Sequence, residues 1–339
     1  MQKNKLTRKQ SQLLILVVAG VIGVGHLGQH HTRLYASLPG ARLVGVVDQS
    51  AERARMIAER HGANVFGSLE ELLPQVDVVS VAVPTSSHYP VAKACLQAGK
   101  HVLVEKPIAV TAGEASELVQ LAAQRRCRLQ VGHSERFNPI MQVMRPHIGR
   151  PVFIECHRLS TFSDRGTDVD VILDLMIHDL DMVLSFNPGE AEEVQAAGVP
   201  VLSSTIDIAN ARIQFTSGCV ANLTASRVST NKMRRLRLFQ RDNYLSIDFH
   251  TRQGMICRRE AGTGVRPSIV IEQLRGSEEE PLKLQLESFL TAVATGHRPV
   301  VSGEDGAAAL NLAHRVLDAI EQFVRRNQDA PAQSTSTLP

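Results

Sequence analysis

A short glycine-rich turn, set between an apolar run and a helix-forming segment, constrains the fold of this chain more than any other feature. The apolar residues 18–22 lead directly into Gly23-Val24-Gly25-His26-Leu27-Gly28, which has the spacing G-x-G-x-x-G. A helix is predicted over Gln29 to Leu38 and a second strand over Leu43 to Val47. Asp48 follows that strand, about 20 residues past the last glycine,. This order of elements predicts the first half of a Rossmann dinucleotide-binding fold.

The residues of this turn have distinct roles in binding a dinucleotide. Gly23 permits a tight turn, Gly25 lets a pyrophosphate approach the backbone, and Gly28 lets the helix pack closely on the strand. His26 and Leu27 lie in the same turn, where main-chain amides at the start of the helix face the phosphates. We therefore predict that the whole turn binds the cofactor.

The acidic residue after the second strand indicates which dinucleotide is bound. The carboxylate of Asp48 can accept hydrogen bonds from the adenine ribose hydroxyls, and it repels a 2′-phosphate. Gln49 and Ser50 follow it, so no arginine stands immediately beside it to neutralise such a phosphate. NAD is therefore predicted in preference to NADP.

Apolar strands and helical segments continue to alternate after Asp48. Helices are predicted over 50–61, 89–98 and 111–126, and strands near Val65 and over 76–83, 101–104 and 127–131. Such alternation is typical of a parallel sheet with helices on both faces. We predict an NAD-binding Rossmann domain over residues 18–139, after an N-terminal extension and strand lead-in over residues 1–17.

A lysine stands where the strand over 101–104 ends, in the stretch Glu105-Lys106-Pro107. Proline stops the strand, so Glu105 and Lys106 lie at the carboxyl edge of the sheet, where open α/β sheets bind their ligands. We predict that Lys106 meets both cofactor and substrate, and that Glu105 contributes to the cofactor site. A solvated lysine before a turn is the alternative when this stretch is taken alone.

The turn after the strand over 76–83 reaches the same edge of the sheet. Pro84 and Thr85 form this turn, and His88 stands at the start of the next helix. We predict that all three contact the cofactor. For His88, a position at the surface where the helix starts is the alternative.

Residues 171–186 predict a helix that is apolar on nearly all sides and is therefore buried,. Its polar residues Asp174, His178, Asp181 and Ser185 are spaced four, three and four apart, which places them on one stripe,. Buried polar groups need partners, so we expect the stripe to face a cleft or a polar network. Asp174 can orient the His178 ring and raise its basicity, as a general base requires. The alternative is a helix-start aspartate with a hydrogen-bonded core histidine.

The chain after residue 139 has a different rhythm. Strands are predicted over 151–159, 193–201, 206–215, 220–229, 235–240, 244–249, 254–259 and 268–274, and helices over 282–295 and 305–326. Short turns between successive strands favour a large, mostly antiparallel sheet. The predicted fold class is thus α/β, with the Rossmann domain followed by an α+β substrate-binding and oligomerisation domain over 140–326. We expect a homo-oligomer, because one sheet face needs a cover, and a disordered tail over 327–339.

Composition argues against several other classes of protein. A net charge of +3 and an aromatic content of 4% argue against nucleic-acid binding,. The five scattered cysteines contain no C-x-x-C, which argues against a disulfide framework or a metal site and favours the cytoplasm,. Basic residues before the apolar run 13–22 resemble a signal peptide, but the run leads straight into the glycine turn and is too short to span a membrane.

One further segment, residues 232–241, carries a basic run. Its members are Lys232, Arg234, Arg235, Arg237 and Arg241. We interpret this run as a solvated strand face or a subunit contact. The alternative is that these side chains bind a phosphate group.

Three motifs together resemble the Gfo/Idh/MocA family of NAD(P)-dependent sugar and cyclitol oxidoreductases. They are the turn 23–28, the stretch 99–107 with its Glu-Lys-Pro end, and Asp174-x-x-x-His178. The resemblance covers roughly residues 18–326. It implies that Lys106, Asp174 and His178 are catalytic and that the C-terminal sheet mediates oligomerisation. The family often has a glycine cluster before its Asp-x-x-x-His helix, whereas this chain has Gly166-Thr167-Asp168-Val169-Asp170 there.

The stretches 131–139, 155–158 and 165–168 look like the branch of this family that oxidises UDP-N-acetylglucosamine at C3. In that branch a partner aminotransferase converts the ketone into an amine, giving a 2,3-diamino sugar for lipid A. The resemblance implies a nucleotide-sugar substrate, and we expect Arg136 and Arg158 to bind its polar or diphosphate part. Alternatives are a dehydrogenase of inositol, of another sugar or of a UDP-sugar uronate, and a non-catalytic NAD-binding regulator on the same fold.

Overall fold

The computed structural model describes residues 16–163, 169–260 and 268–328. A parallel sheet is built from the first part of these residues. Its six strands in the described chain are β1 (Val17–Ile22), β2 (Ala41–Val47), β3 (Asn64–Val65), β4 (Val78–Val81), β5 (His101–Val104) and β6 (Leu129–Val131). The strand order is β3-β2-β1-β4-β5-β6, so the chain reverses its direction of winding between β3 and β4, and the crevice beside β1 and β4 is a switch point,.

Helices pack on both faces of this sheet. They are α1 (Gly28–Ser37), α2 (Ala51–His61), α3 (Leu69–Leu72), α4 (His88–Gln97) and α5 (Ala112–Arg125). A further short helix, α6 (Pro139–Met144), packs against the second sheet, which is described next. Ala19 and Val21 of β1 lie in one apolar cluster with residues of α1 and α2, whereas α4 and α5 contribute to a second cluster. The local sequence accounts for the helix ends: Thr111 and Glu114 form a capping box at the start of α5,. Most of the predicted helix and strand ends in this domain differ from the observed ones by one or two residues.

The second sheet is built mainly from antiparallel strands. Its eight strands in the described parts of the chain are β7 (Phe153–Leu159), β8 (Ala191–Val199), β9 (Ile208–Phe215), β10 (Val220–Ser226), β11 (Met233–Phe239), β12 (Asn243–Asp248), β13 (Gln253–Glu260) and β14 (Ser268–Arg275). The order is β14-β13-β12-β11-β7-β10-β9-β8, and the pair β7–β10 is parallel while its neighbours are antiparallel. The predicted fold class is confirmed.

Three helices connect the two sheets. They are α7 (Ile177–Leu184), which a π-helical turn (Ile172–Met176) precedes, α8 (Pro281–Thr295) and α9 (Gly303–Gln328). Helix α9 contacts β8, α7 and α5, so it packs against both halves of the molecule. Helix α8 returns to α1, and Leu286 and Phe289 join the apolar cluster of the first sheet. Lys106, which follows β5, contacts Asp174 in the π-helical turn, so the carboxyl end of β5 is held against the segment that precedes α7.

Some predictions fall wholly or mostly outside the described residues. These concern the N-terminal extension, the stretch 165–168, and the tail after residue 328; within the predicted tail, residues 327 and 328 continue α9. In the parts of the chain that the structure describes, no helix has the length and apolar character needed to cross a membrane.

Candidate active site

The turn after β1 has the shape that a dinucleotide requires. Gly23 has a φ of +82°, and a Cβ there would lie 2.8 Å from the main chain of Ala82,. A Cβ on Gly28 would come within 1.7 Å of the Gly23 carbonyl oxygen, so glycine is needed where α1 begins. At Gly25, no described atom lies within 4 Å of the place where a Cβ would stand, which leaves room for a phosphate. The residues of the turn therefore fit NAD.

Asp48 is held at the end of β2 beside this turn. Its Oδ2 accepts a hydrogen bond from the Val24 amide (2.8 Å) and its Oδ1 accepts one from the Ser50 amide (2.8 Å). Arg53, which is half-exposed, donates to Oδ1 at 2.7 Å. Burial acts to raise the pKa of Asp48, but the hydrogen bonds from Arg53, Ser50 and Val24 outweigh it, so the pKa lies below its usual value. The sequence analysis did not select Arg53, because it considered only the residues directly after Asp48, and Arg53 lies further on, inside α2.

Replacing Asp48 by serine is expected to weaken NAD and to admit NADP. The substitution removes the carboxylate that accepts the ribose hydroxyls and repels a 2′-phosphate, and it frees the Arg53 guanidinium to pair with that phosphate. We expect kcat/KM for NAD to fall by about tenfold or more, the worth of one charge-assisted hydrogen bond. Steady-state kinetics with both cofactors measure the ratio, and the double variant Asp48→Ser/Arg53→Ala should lose the NADP gain. An unchanged cofactor ratio in Asp48→Ser would show that this carboxylate does not select the cofactor.

Lys106 reaches across from the first sheet to the start of the helix that carries the predicted stripe. Its Nζ donates to the Asp174 carbonyl oxygen (2.6 Å) and to the Asp174 carboxylate Oδ1 (3.1 Å). The Lys106 side chain is only 16% exposed, so it is not the solvated lysine of the alternative interpretation. The fold thus brings together two of the predicted catalytic residues, which are 68 positions apart in the chain.

The helix around Asp174 differs from the predicted one. Residues Ile172–Met176 form a π-helical turn, and the regular α-helix begins only at Ile177. A π-helical turn is rare and is found frequently at functional sites, and this one carries Asp174. The Asp174 carboxylate contacts Lys106, and His178 Nδ1 is buried without a hydrogen-bond partner in the described structure. The described residues show no hydrogen bond from Asp174 to His178, so the orientation of the ring by Asp174 stays a prediction, whereas Asp174 does hold Lys106.

A second histidine, His133, packs against His178 instead. The two rings meet edge to face, with centroids 5.7 Å apart and planes at 90°. Burial, and then the charge of Lys106, lower the pKa of His133 to about 3 and hold the pKa of His178 well below its ordinary value,. Both rings are therefore neutral at pH 7, which is the form in which a histidine can act as a base. Sequence analysis did not select His133, although its place just after β6, at the carboxyl edge of the sheet, was a usable signal,.

Arg158 lies in the interior, and the prediction that it binds substrate is wrong. It is 4% exposed because strand alternation puts it on the buried face of β7 with Cys156,. Its Nη2 and Nε donate to the two carboxylate oxygens of Asp179 (2.8 and 3.0 Å), and its Nη1 donates to Glu135 (3.0 Å). Burial acts to lower the pKa of Arg158, but these carboxylates outweigh it and raise the pKa above its ordinary value. The buried cluster fixes α7 to β7 immediately beside His178.

Arg136 and the far half of the predicted stripe are likewise occupied internally. The Nε of Arg136 donates to Asp181 Oδ2 at 2.9 Å, and the arginine side chain is 8% exposed. Ser185 Oγ donates to the Met182 carbonyl oxygen at 2.6 Å. The prediction that Arg136 binds substrate is therefore wrong, and the stripe faces an internal polar network at this end rather than the cleft. The sequence could not show this, because the partner of Asp181 comes from a different element.

Two predicted cofactor contacts are buried beneath the edge of the first sheet. Glu105 is 6% exposed and its Oε1 lies 2.9 Å from His31 Nε2. His88 is 2% exposed, and its ring nitrogens lie 2.7 Å from the Pro107 carbonyl oxygen and 2.9 Å from that of Val83. Neither the predicted direct contact nor the surface alternative describes His88. His88 instead holds the backbone of Pro107, next to Lys106, and Glu105 joins the end of β5 to α1 through His31.

A cleft of about 1030 Å³ opens between the carboxyl edge of the first sheet and the second sheet. Pro84 and Thr85 line it on the Rossmann side, where they were predicted to meet the cofactor. Asp174, in the π-helical turn, also lines the cleft. Lys232 and Arg234, at the start of β11, line it on the side of the second sheet. These two members of the basic run therefore border the cleft, although both remain exposed to solvent. A cleft with polar groups gathered on two walls is typical of a small-molecule site.

Both halves of the chain match domain models of the same protein family. Residues 17–133 match the oxidoreductase family with an NAD-binding Rossmann fold, and residues 143–256 match the GFO/IDH/MocA C-terminal domain. UDP-N-acetylglucosamine 3-dehydrogenase from Acidithiobacillus ferrooxidans is 41% identical, over 92% of this chain and 100% of that protein. Inositol 2-dehydrogenase from Rubrobacter xylanophilus is 35% identical, over 54% of this chain and 56% of that protein.

Solved structures show the same similarity. UDP-N-acetylglucosamine 3-dehydrogenase GnnA from Acidithiobacillus ferrooxidans superimposes with a TM-score of 0.87 at 39% identity, covering 92% of this chain and 100% of that one. Levoglucosan dehydrogenase in complex with NADH and levoglucosan superimposes with a TM-score of 0.80 at 18% identity, covering 91% of this chain and 98% of that one. At this lower identity the similarity concerns the fold alone.

Proposed function

The chain belongs to the Gfo/Idh/MocA family of NAD-dependent oxidoreductases, and on this premise we propose that it oxidises the 3-hydroxyl group of UDP-N-acetylglucosamine to a ketone. The observation that carries this proposal is the contact of Lys106 with Asp174 at the wall of the cleft, with His178 near enough for the Lys106 charge to act on its ring. The identity of 41% to a dehydrogenase of this sugar nucleotide supports the choice of substrate.

The turn from Gly23 to Gly28, with Asp48, would hold NAD at the edge of the first sheet. When bound there, NAD supplies a hydride acceptor for the carbon that carries the hydroxyl group. The chain itself contributes the positions of the proton-accepting and charge-stabilising groups. Pro84 and Thr85 close the cleft on the side of this cofactor site.

His178 acts as the general base in this proposal. Its ring is neutral at pH 7, because burial and the Lys106 charge hold its pKa low, so it can take the proton of the sugar hydroxyl. Nδ1 is buried, which leaves Nε2 as the nitrogen that meets the hydroxyl. The edge-to-face contact with His133 holds the ring in place.

Lys106 stabilises the oxygen as its proton leaves. An ammonium group aimed at developing negative charge in a site with little water lowers the barrier of such a step. Asp174 fixes that ammonium through its carboxylate and its carbonyl oxygen, 3.1 and 2.6 Å from Nζ. In this scheme Lys106 and His178 are catalytic residues, and Asp174 is a positioning residue.

The proposal extends to the pathway of this enzyme, and other features of the chain support an assembly and a location. A sugar ketone is the form that an aminotransferase converts to an amine, so we place the enzyme before such a partner in the synthesis of a 2,3-diamino sugar for lipid A. Exposed Ile269 and Ile271 on β14 support a homo-oligomer that covers this sheet edge,. The free thiols of the described cysteines support a cytoplasmic location,.

The proposal predicts the substrate preference of the purified protein. We expect NADH formation with UDP-N-acetylglucosamine at a kcat/KM about a hundredfold or more above that with myo-inositol or a UDP-sugar uronate, because the site is matched to the whole nucleotide sugar. Absorbance of the reduced cofactor measures the rate, and mass spectrometry should show a product lighter by two hydrogen atoms. Faster oxidation of free inositol or a uronate would replace this assignment with that dehydrogenase. The absence of NADH with every one of these substrates would favour a non-catalytic role.

A further inference from the structure

Two basic side chains stand on the wall of the cleft formed by the second sheet. Lys232 immediately precedes β11, and Arg234 is its second residue; both line the cleft, as does His250 just after β12. Asp174 lines the same cleft, but its carboxylate is bound to Lys106. It is the one acidic residue among the described lining residues. The wall around Lys232 and Arg234 is therefore positively charged.

Strand geometry explains why only part of the basic run faces the cleft. Side chains alternate between the faces of a strand, so Arg234 shares its face of β11 with the buried Leu236 and Leu238. Arg235 and Arg237 lie on the opposite face, where they form ion pairs with Asp248 (3.6 Å) and Glu155 (2.7 Å) respectively. The run is thus two separate groups of charges, and only one of them borders the cleft.

The charges that face the cleft are poorly compensated. Arg234 Nη1 is 3.4 Å from Glu135 Oε1, but this oxygen already accepts a shorter hydrogen bond from Arg158 (3.0 Å). The Arg234 side chain is 56% exposed. Lys232 is exposed, and no carboxylate within 4.0 Å of its Nζ is found in the described parts of the chain. These two cations can therefore bind an anion while giving up no more than the long Arg234–Glu135 contact,.

The anion that this pair fits differs from the pyrophosphate of NAD. The glycine turn accounts for that pyrophosphate, and none of its residues is among the described residues that line the cleft. A second anionic group must therefore come from the substrate. In a nucleotide sugar the charge resides on the diphosphate between the nucleoside and the sugar, with one negative charge on each phosphate. Two neighbouring cations match two neighbouring phosphates in number and in sign.

We propose that Lys232 and Arg234, with His250 beside them, form the subsite for the diphosphate of a nucleotide-sugar substrate. This inference rests on the proposed function, which it deepens. The arginine fork can take one phosphate in a bidentate manner, and the lysine takes the other as a point charge. Binding of the diphosphate at this wall of the cleft would position the attached sugar ring for Lys106 and His178. A free sugar or inositol has no group for this subsite.

The double variant Lys232→Ala/Arg234→Ala tests the subsite. With NAD at saturation, so that the dinucleotide turn is filled, we expect calorimetry to show UDP binding weakened by about thirtyfold or more. KM for UDP-N-acetylglucosamine should rise to a similar degree, while kcat and the affinity for NAD change by less than about threefold, because remote binding is lost and the chemistry is not. The milder Lys232→Gln/Arg234→Gln pair keeps the polar stems and provides a second variant in case the first does not fold.

The matched control is Arg235→Ala/Arg237→Ala, which removes two cations from the opposite face of the same strand. This variant should bind UDP within about twofold of the unmodified protein, since screening weakens charges that do not touch the ligand. The subsite is overturned if the unmodified protein fails to bind UDP, if neither test variant weakens binding, or if the control weakens it equally. UDP binding that depends on Lys232 and Arg234 without oxidation of UDP-N-acetylglucosamine would leave the subsite standing and reject the proposed substrate. Oxidation of UDP-N-acetylglucosamine with an unchanged KM in the test variants would support the proposed substrate and reject the subsite.

Discussion

The His178→Asn variant is expected to bind NAD normally and to lose turnover by about three orders of magnitude. A positioned general base contributes about 10²–10⁴-fold to the rate, and asparagine fills much of the same volume without a basic nitrogen. The neutral state of His178 at pH 7 follows from burial and from the Lys106 charge, which hold its pKa well below the usual value. The rate of NADH formation and the NAD dissociation constant together separate the loss of chemistry from the loss of binding.

The same low pKa gives this prediction a pH dependence. A base must be unprotonated to act, so a lowered pKa moves the acid limb of the kcat/KM profile below pH 6.5, the ordinary histidine value, rather than above it,. Activity should therefore persist in mildly acidic buffer. An acid limb centred at or above the ordinary value would assign the essential base to another group.

Two further variants define the limits of the His178 effect. Lys106→Met should lower kcat by about 10²–10³-fold, as expected when one preorganised charge at a developing oxyanion is removed. His61→Asn, at the end of α2 and outside the cleft, should leave kcat unchanged. If the His178→Asn variant keeps a near-normal rate while the fold is intact, His178 has no part in the chemistry.

Replacing Arg158 by methionine should destabilise the fold more than any single change to an exposed ion pair. Arg158, Asp179 and Glu135 are 5%, 8% and 9% exposed as side chains. Methionine fills the space but leaves two carboxylates buried without their cation, which costs about 3–5 kcal/mol in comparable sites. Urea unfolding measures this difference in the free energy of unfolding. A value below about 1 kcal/mol would mean that the buried cluster does not hold α7 to β7.

The size of this loss should depend on pH in a defined direction. Burial raises the pKa of Asp179 above its usual value, and without Arg158 the rise must be larger. A carboxyl group whose pKa is raised in the folded state stabilises the fold while it is protonated and loses that contribution as the pH rises through the folded value. The Arg158→Met variant should therefore be closest to the unmodified protein at acidic pH and furthest from it at neutral pH.

Arg237→Met is the matched control for Arg158→Met. Arg237 lies on β11, the neighbour of β7, and pairs with Glu155 at 2.7 Å, but both side chains are partly exposed (40% and 26%). Solvent screens such a pair, so the cost should stay near or below about 1 kcal/mol. Because Asp179 is the residue next to His178, turnover should also fall in Arg158→Met, and Arg237→Met should keep it.

The sequence by itself determined the local features of the fold, namely those set by residues close together in the chain. The strand, glycine turn, helix and acidic residue from Val18 to Asp48 predict one local geometry, since only glycine fits at positions 23 and 28,. The apolar run before Glu105 and Lys106 places the lysine at a strand end by the same short-range logic. These predictions need no knowledge of which distant segment packs nearby.

Only the tertiary structure decided which polar group meets which. Asp174 pairs with Lys106 from 68 residues away, a partner that the spacing within its own helix cannot reveal. Arg158 is buried with Asp179, whereas Arg234 faces the cleft, although both are arginines on strands of the same sheet. The physical reason is that desolvation and ion pairing depend on the sum of surrounding charges and on burial, and these surroundings are assembled only when remote segments pack together.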